Sequence, residues 1–142
     1  MSNTISIIIP VYNEKESLEE LYGEIRAAIG SFSNREVLFI DDGSTDGTTE
    51  LLQTMAEEYP DVTLIQFYRN YGKAAALAEG FNHATGDYIV TMDADLQDDP
   101  SEIKNLVEKL DEGYDLISGW KRVRLDPWTK RWPSKFFNLV TR

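Results

Sequence analysis

Tyr88-Ile89-Val90-Thr91-Met92-Asp93-Ala94-Asp95 is the stretch on which the fold turns. A short apolar and β-branched run that ends abruptly in polar residues reads as a strand buried on both faces of a parallel sheet. The acids that follow then lie at its carboxyl edge. Side chains alternate faces along extended backbone, so the spacing predicts that Asp93 and Asp95 point the same way. Two like charges held so close repel by a few kcal/mol at an effective dielectric of about 20 unless a cation or proton lies between them. Hard oxygen donors of this kind suit Mg²⁺ or Mn²⁺, ions that in enzymes usually also hold substrate phosphates. The alternative is that both acids only cap turns before the next helix, and an Asp-x-Asp by itself does not choose between the two.

The same strand-then-polar grammar recurs outward from this stretch. Strands are predicted at residues 4–10, 36–41, 62–67 and 114–118 as well as 88–92, with helical patterns between them at 14–29, 48–59, 72–84 and 100–110. The last helix carries its own punctuation: Asp99 as N-cap, Pro100 at the first helical position and Gly113 past the end. Five strands joined by four crossover helices give an α/β fold with a doubly wound, mainly parallel sheet. Ligands of such sheets bind at the carboxyl ends of the strands.

Four of those ends are polar and rich in turn residues: Pro10-Val11-Tyr12-Asn13-Glu14, Asp41 through Thr48, Tyr68-Arg69-Asn70-Tyr71-Gly72-Lys73, and Asp93-Ala94-Asp95-Leu96-Gln97. Each admits a plain reading as helix capping or turn chemistry. Taken together they bring acids and a Lys/Arg pair to one rim. Asp41 or Asp42 can accept the N–H of a nucleobase while Tyr12 covers the ring. Arg69 and Lys73 can balance phosphate charge, with backbone N–H groups at the start of the third helix adding to it. A diphosphate approaching Asp93 and Asp95 needs a divalent ion between the anions. The implied ligand is a nucleoside diphosphate with metal, and a sugar on its distal phosphate would make the ion a Lewis acid for the departing diphosphate.

Composition narrows the class. The 142 residues, 42% hydrophobic, match one domain with a substantial core. No stretch approaches the roughly 20 apolar residues of a membrane span, no basic flank and apolar core mark a signal peptide, and the absence of cysteine excludes disulfides and is compatible with a reducing cytoplasm. The net charge of −11 is unevenly spread. Residues 120–142 hold Lys121, Arg122, Arg124, Lys130, Arg131, Lys135 and Arg142 against Asp126 alone, a local +6 that leaves −17 on the remainder. An acidic body argues against nucleic acid as partner. Trp128, Trp132, Phe136, Leu139 and Val140 recur at helical spacing in the basic segment, which predicts an amphipathic helix lying on an anionic membrane surface or packed on its own or a neighbouring domain. Domains are accordingly expected at 1–119, an α/β ligand-binding unit, and 120–142, a basic aromatic segment.

Ile7 to Glu14, Phe39 to Thr48, Arg69 to Leu77 and Asp93 to Pro100 resemble, in order and spacing, the motifs of the family-2 inverting glycosyltransferases with the GT-A, Rossmann-like fold. The resemblance covers nearly the whole chain. It implies that Pro10, Tyr12 and Glu14 line a nucleotide-sugar pocket with Asp42 on the base and Asp41 nearby, that Arg69, Lys73, Ala94, Lys121 and Arg122 belong to the donor site, and that Asp93 and Asp95, the catalytic pair, bind Mg²⁺ or Mn²⁺ with Gln97 as a further ligand. Within the family, the Asp-Ala-Asp-Leu-Gln form and Ser118-Gly119-Trp120-Lys121-Arg122 are similar to the polyprenyl-phosphate subgroup, which includes dolichol-phosphate-mannose-synthase-like and bactoprenol-glucosyltransferase-like enzymes. This implies a UDP- or GDP-linked sugar as donor, a polyprenyl phosphate as acceptor and work at the cytoplasmic face of the membrane. A phosphate acceptor is already ionised, so no general base is named. The family's catalytic region continues past the last motif, so the sequence reads as the donor-binding part of a longer enzyme, binding nucleotide and metal with weak or no transfer alone.

Other classes fit less of the chain. A phospho-receiver domain carries its acid pair after the first strand, where this chain has Pro-Val-Tyr-Asn-Glu, and a nucleotidyltransferase has a glycine-rich basic loop there. A transferase with a saccharide acceptor and a non-catalytic nucleotide- or membrane-binding module remain the alternatives. His83, Glu16, Glu19, Glu20 and Glu24 are expected on solvated helix faces, and Asp111 and Glu112 at a polar helix end.

Overall fold

The computed structural model describes residues 3–119 and the backbone of a strand at 137–141. Strands β1 (Thr4–Val11), β2 (Asn34–Asp41), β3 (Val62–Gln66), β4 (Tyr88–Thr91), β5 (Leu116–Gly119) and β6 (Phe137–Thr141) alternate with helices α1 (Leu18–Ala28), α2 (Thr48–Glu58), α3 (Lys73–His83) and α4 (Ile103–Asp111). They build one six-stranded sheet in the order β3-β2-β1-β4-β6-β5. The β1 to β4 strands pair in parallel, with Val11 opposite Asp41, Asp41 opposite Gln66 and Ile8 opposite Thr91. Their carboxyl ends therefore finish along one edge. The chain passes outward from β1 to β2 and β3 and then returns to the other side of β1 as β4. That reversal opens a crevice between the ends of β1 and β4, where ligands of open α/β sheets bind.

The periodicity of the central strands explains the layers. In β1, Ile5, Ile7, Ile9 and Val11 join Val37 and Phe39 of β2 and Val90 of β4 in a core covered by Leu18, Leu21 and Ile25 of α1, Leu52 and Met55 of α2, and Ile103, Val107 and Leu110 of α4. The alternate residues Ile8, Leu38, Ile40 and Ile89 face Ala76 of α3 on the other side. With helices on both faces, β1 is apolar at almost every position, as a doubly covered strand must be. Truncating one of these fully buried leucines or isoleucines to alanine costs about 2–5 kcal/mol. The α3 layer lies close because its facing residues are small: a Cβ on Gly80 would stand 2.3 Å from Cγ2 of Ile8.

Sequence and structure agree on β1 to β4 within a residue or two, while Tyr114–Asp115 precede β5 rather than belong to it. Asp99 caps a 3₁₀ turn at Pro100–Glu102, accepting the N–H of Ser101 at 3.0 Å, before α4 proper begins, and Gly113 has φ +112 past its end. The predicted first helix starts later than residue 14, because Glu14 is spent on a turn in which its carbonyl accepts from Ser17 N–H at 3.1 Å.

The larger correction concerns the basic segment. Residues 137–141 form not an amphipathic helix but β6, antiparallel to both neighbours, with Val140 opposite Ile89 of β4 and opposite Leu116 of β5. Phe136, Leu139 and Val140 fit a helical period on paper, but a helix there would leave the free edge of β4 without backbone partners, and the strand satisfies it. The end of the 120–142 segment thus belongs to the same sheet as residues 4–119. Trp128 and Trp132, with Lys121 and Arg122, lie outside the described residues. No helix among the described residues is long and apolar enough to cross a membrane.

Candidate functional site

Hydrogen bonds tie the four polar strand ends into a ring. Asn13, at φ +52, donates its N–H to Ser44 Oγ at 3.0 Å and accepts the Thr45 N–H on Oδ1 at 2.8 Å, which joins the ends of β1 and β2. Asp42 joins β2 to the β3–α3 loop: its Oδ1 accepts the N–H of Tyr71 at 2.7 Å and its Oδ2 that of Gly72 at 3.0 Å. Lys73 Nζ reaches Asp93 Oδ1 at 2.5 Å and joins that loop to the end of β4. Ser17 closes the circuit, donating its hydroxyl to the carbonyl of Ala94 at 2.5 Å.

Two glycines make the ring possible. Gly43 has φ +77, and a Cβ there would stand 2.5 Å from the carbonyl carbon of Arg69, so only glycine lets the loop after β2 lie against the loop after β3. Gly72, at φ 100 and ψ 159, occupies a region essentially reserved for glycine. From that turn it directs its N–H to Asp42 and starts α3 with Lys73.

The acid loop departs from the geometry expected of it. The β4 strand ends at Thr91, with Met92 adding one more ladder bond to Ile8, so Asp93 and Asp95 lie past the extended backbone and strand alternation does not orient them. The loop is instead held locally. Asp93 N–H donates to Asp98 Oδ2 at 3.1 Å, Gln97 N–H to Asp95 Oδ1 at 3.2 Å, and Leu96 between them takes φ +64. Asp93 and Asp95 are half-buried, Ala94 and Asp98 buried, Gln97 exposed.

Asp41 is fully buried, with Oδ1 accepting from Ser44 N–H at 3.0 Å and Oδ2 from the Thr49 hydroxyl. Its surroundings hold the β2–α2 loop in shape. Asp42 likewise takes the N–H groups of Tyr71 and Gly72, just before α3, because its carboxylate reaches them across the rim. Tyr12 is exposed, Pro10 and Glu14 half-buried. Arg69 places its guanidinium carbon 5.0 Å from the ring centre of Tyr71, whose ring stands nearly perpendicular to that of Phe67 with centres 5.6 Å apart. Further along the β2–α2 loop, the hydroxyl of Thr48 bonds to Asp46 at 2.5 Å and lowers that carboxyl below its ordinary range.

Sequence reasoning missed Ser17, Asn13 and Asp98 as organisers of the rim. Asp98 carried a signal, since it belongs to the acid-rich run after the strand, whereas the bond from Ser17 to Ala94 spans 77 residues and leaves no local trace. The expected surface residues are exposed: Glu16, Glu19, Glu20, Glu24 and His83, the last with Nδ1 2.9 Å from the carbonyl of Glu79.

No group of three or more His, Cys, Asp or Glu side chains among the described residues is arranged to cage an ion. Magnesium-type ions are commonly held by one or two carboxylates and share substrate phosphates. The donor set of Asp93, Asp95 and Gln97, all oxygen, fits such an ion, and the Lys73 ammonium against Asp93 Oδ1 shows that the position accepts a cation.

Comparison with known proteins decides the family. The sequence pattern of Glycosyl transferase family 2 matches residues 6–142. The chain belongs to that family. This glycosyl transferase family 2 chain is 44% identical over 141 residues to the undecaprenyl-phosphate 4-deoxy-4-formamido-L-arabinose transferase of Pseudomonas syringae pv. syringae (strain B728a), a match covering 97% of the chain but 42% of that relative's length. Among solved structures it is similar to a mannosyltransferase from Pyrobaculum calidifontis in complex with GDP-Man and Mn²⁺, with a TM-score of 0.72 and 34% identity over 83% of this chain and 35% of the other. It is similar as well to the glucosyl-3-phosphoglycerate synthase of Mycobacterium tuberculosis in complex with UDP, with a TM-score of 0.66 and 25% identity over 86% of this chain and 46% of the other. The GT-A, mainly parallel α/β fold is thus shared with glycosyltransferases, and the chain spans under half the length of each.

Proposed function

We propose that this chain is the donor-binding part of a glycosyltransferase that moves a sugar, with inversion, from a nucleoside diphosphate to a polyprenyl phosphate. The observation that carries the reading is the ring of strand ends, which sets Asp42, Lys73 and the Asp93–Asp95 loop around the crevice beside β1. The kinship to an undecaprenyl-phosphate transferase supports the acceptor, and the GDP-Man and UDP complexes of its structural relatives support a nucleotide sugar as donor.

Tyr12 supplies an exposed aromatic face for the base, with Pro10 and Glu14 beside it and Asp42 at the inner wall. Arg69 and Lys73 offer cationic donors to phosphate oxygens. Asp93 and Asp95, with Gln97, would hold Mg²⁺ or Mn²⁺, which when bound supplies Lewis-acid neutralisation of the leaving diphosphate. The relative solved with Mn²⁺ favours manganese as the first ion to test. An oxygen of the acceptor phosphate forms the new bond to the anomeric carbon as the bond to the diphosphate oxygen breaks on the opposite face. That acceptor oxygen is already ionised, so no side chain has to take a proton. Lys121, Arg122 and the other basic and aromatic residues of 120–142 are proposed to meet the donor and an anionic membrane, at the cytoplasmic face where a water-soluble donor can meet a lipid-held acceptor.

Calorimetric titration with UDP, GDP and their sugars, with Mn²⁺ or Mg²⁺ and with EDTA, tests the donor reading. At least one nucleotide binds, and binds better with metal. Silence for every nucleotide under every condition would defeat it.

A further inference from the structure

We propose that Lys73 is a stand-in for the divalent ion at Asp93: without donor its ammonium holds the oxygen the ion needs, and a nucleoside diphosphate draws it away, so that metal and nucleotide bind synergistically. The proposal rests on the donor-binding reading and adds a binding order to it. Three features support it. Lys73 Nζ lies 2.5 Å from Oδ1 of Asp93, and the Asp93 side chain is only 18% exposed while that of Lys73 is 58% exposed, so the carboxylate is fixed and the lysine is free to swing. Both anchors are braced, Asp93 by its N–H to Asp98 and Lys73 by the Gly72 turn bonded to Asp42. Lys73 is also the first residue of α3, where a cation opposes the helix dipole and no acid occupies the first turn to offset it. Helix stability does not account for a lysine there; the carboxylate it faces does.

The energetic consequence is direct. A divalent ion approaching Asp93 meets a resident positive charge and must compete with it for one oxygen. A diphosphate presents the ammonium with a second, more highly charged anion, and its arrival frees Oδ1. By linkage, the factor by which nucleotide strengthens metal binding is the factor by which metal strengthens nucleotide binding.

The test compares wild type, Lys73→Gln and Lys73→Arg for Mn²⁺ binding without nucleotide, followed by calorimetry and by the electron paramagnetic resonance of free Mn²⁺, and for UDP and GDP binding with Mn²⁺ and with EDTA. Circular dichroism and thermal melts confirm that the variants, altered at an exposed side chain, are folded. Lys73→Gln should bind Mn²⁺ alone roughly tenfold tighter than wild type, bind nucleotide in EDTA more weakly, and show a smaller increase in nucleotide affinity on adding Mn²⁺. Lys73→Arg should keep the wild-type pattern. If Lys73→Gln binds Mn²⁺ alone no tighter while wild type binds nucleotide with metal, the stand-in role is overturned and the donor-binding reading survives. If wild type binds no nucleotide under any condition, both fall.

Discussion

Asp42 and Gly72 meet across the rim, the carboxylate Oδ2 accepting the glycine N–H at 3.0 Å while Oδ1 takes the preceding N–H of Tyr71 at 2.7 Å. One buried side chain thereby anchors, from a different strand, the two residues that lead into α3. The position of Lys73, and with it the cationic side of the crevice, depends on this contact.

Asp42→Asn should therefore lower stability and nucleotide affinity together. The amide keeps one acceptor and turns an N–H₂ toward the other donor, leaving a buried N–H facing a like group at a cost of about 1–3 kcal/mol. A denaturant series gives the loss of stability, and titration with UDP or GDP gives the loss of binding.

Gly43→Ala and Gly72→Ala should separate crowding from strain. Alanine at Gly43 adds a backbone clash at 2.5 Å to an unfavourable φ, whereas Gly72 has open space around it and suffers strain alone. The Gly72 variant is expected to lose about 1–3 kcal/mol and the Gly43 variant more. Chemical denaturation of both orders them, and equal losses would contradict the packing described between the loops after β2 and β3.

Tyr88 gives a signed pH dependence. Its hydroxyl donates to Asp111 at 2.5 Å, and that bond, followed by burial, raises its pKa from 10.0 to about 12. The neutral phenol is the form the folded state favours. Its contribution is thus complete below pH 10 and lost as pH rises through about 12. Tyr88→Phe should be less stable than wild type at pH 8, and the gap should narrow between pH 10 and 12 in unfolding experiments.

Much of this architecture is legible in the chain because β1 and β4 are largely apolar, as is β2 from Val37 to Ile40, and all three end in polar turns, which fixes both their burial and the edge at which a ligand lies. The strand β6 is not legible, since Phe136, Leu139 and Val140 satisfy a helical period as well as an extended one, and only the free edge of β4 decides between them. The acid pair was recognisable by composition, yet its orientation was not: the strand stops at Thr91, and the bonds from Asp93 to Asp98 and from Gln97 to Asp95 shape the loop. Asp41 and Asp42 look equivalent in sequence. Their difference arises from which loop each one meets, Asp41 its own and Asp42 the start of α3.

The central claim is that Asp93 and Asp95 bind donor through a shared divalent ion. Its most direct test is the gain in nucleotide affinity on replacing EDTA by Mn²⁺, measured for wild type and for Asp93→Asn combined with Asp95→Asn. Wild type should gain at least tenfold and the double variant nothing, with both proteins folded. An equal gain in the two would contradict the account.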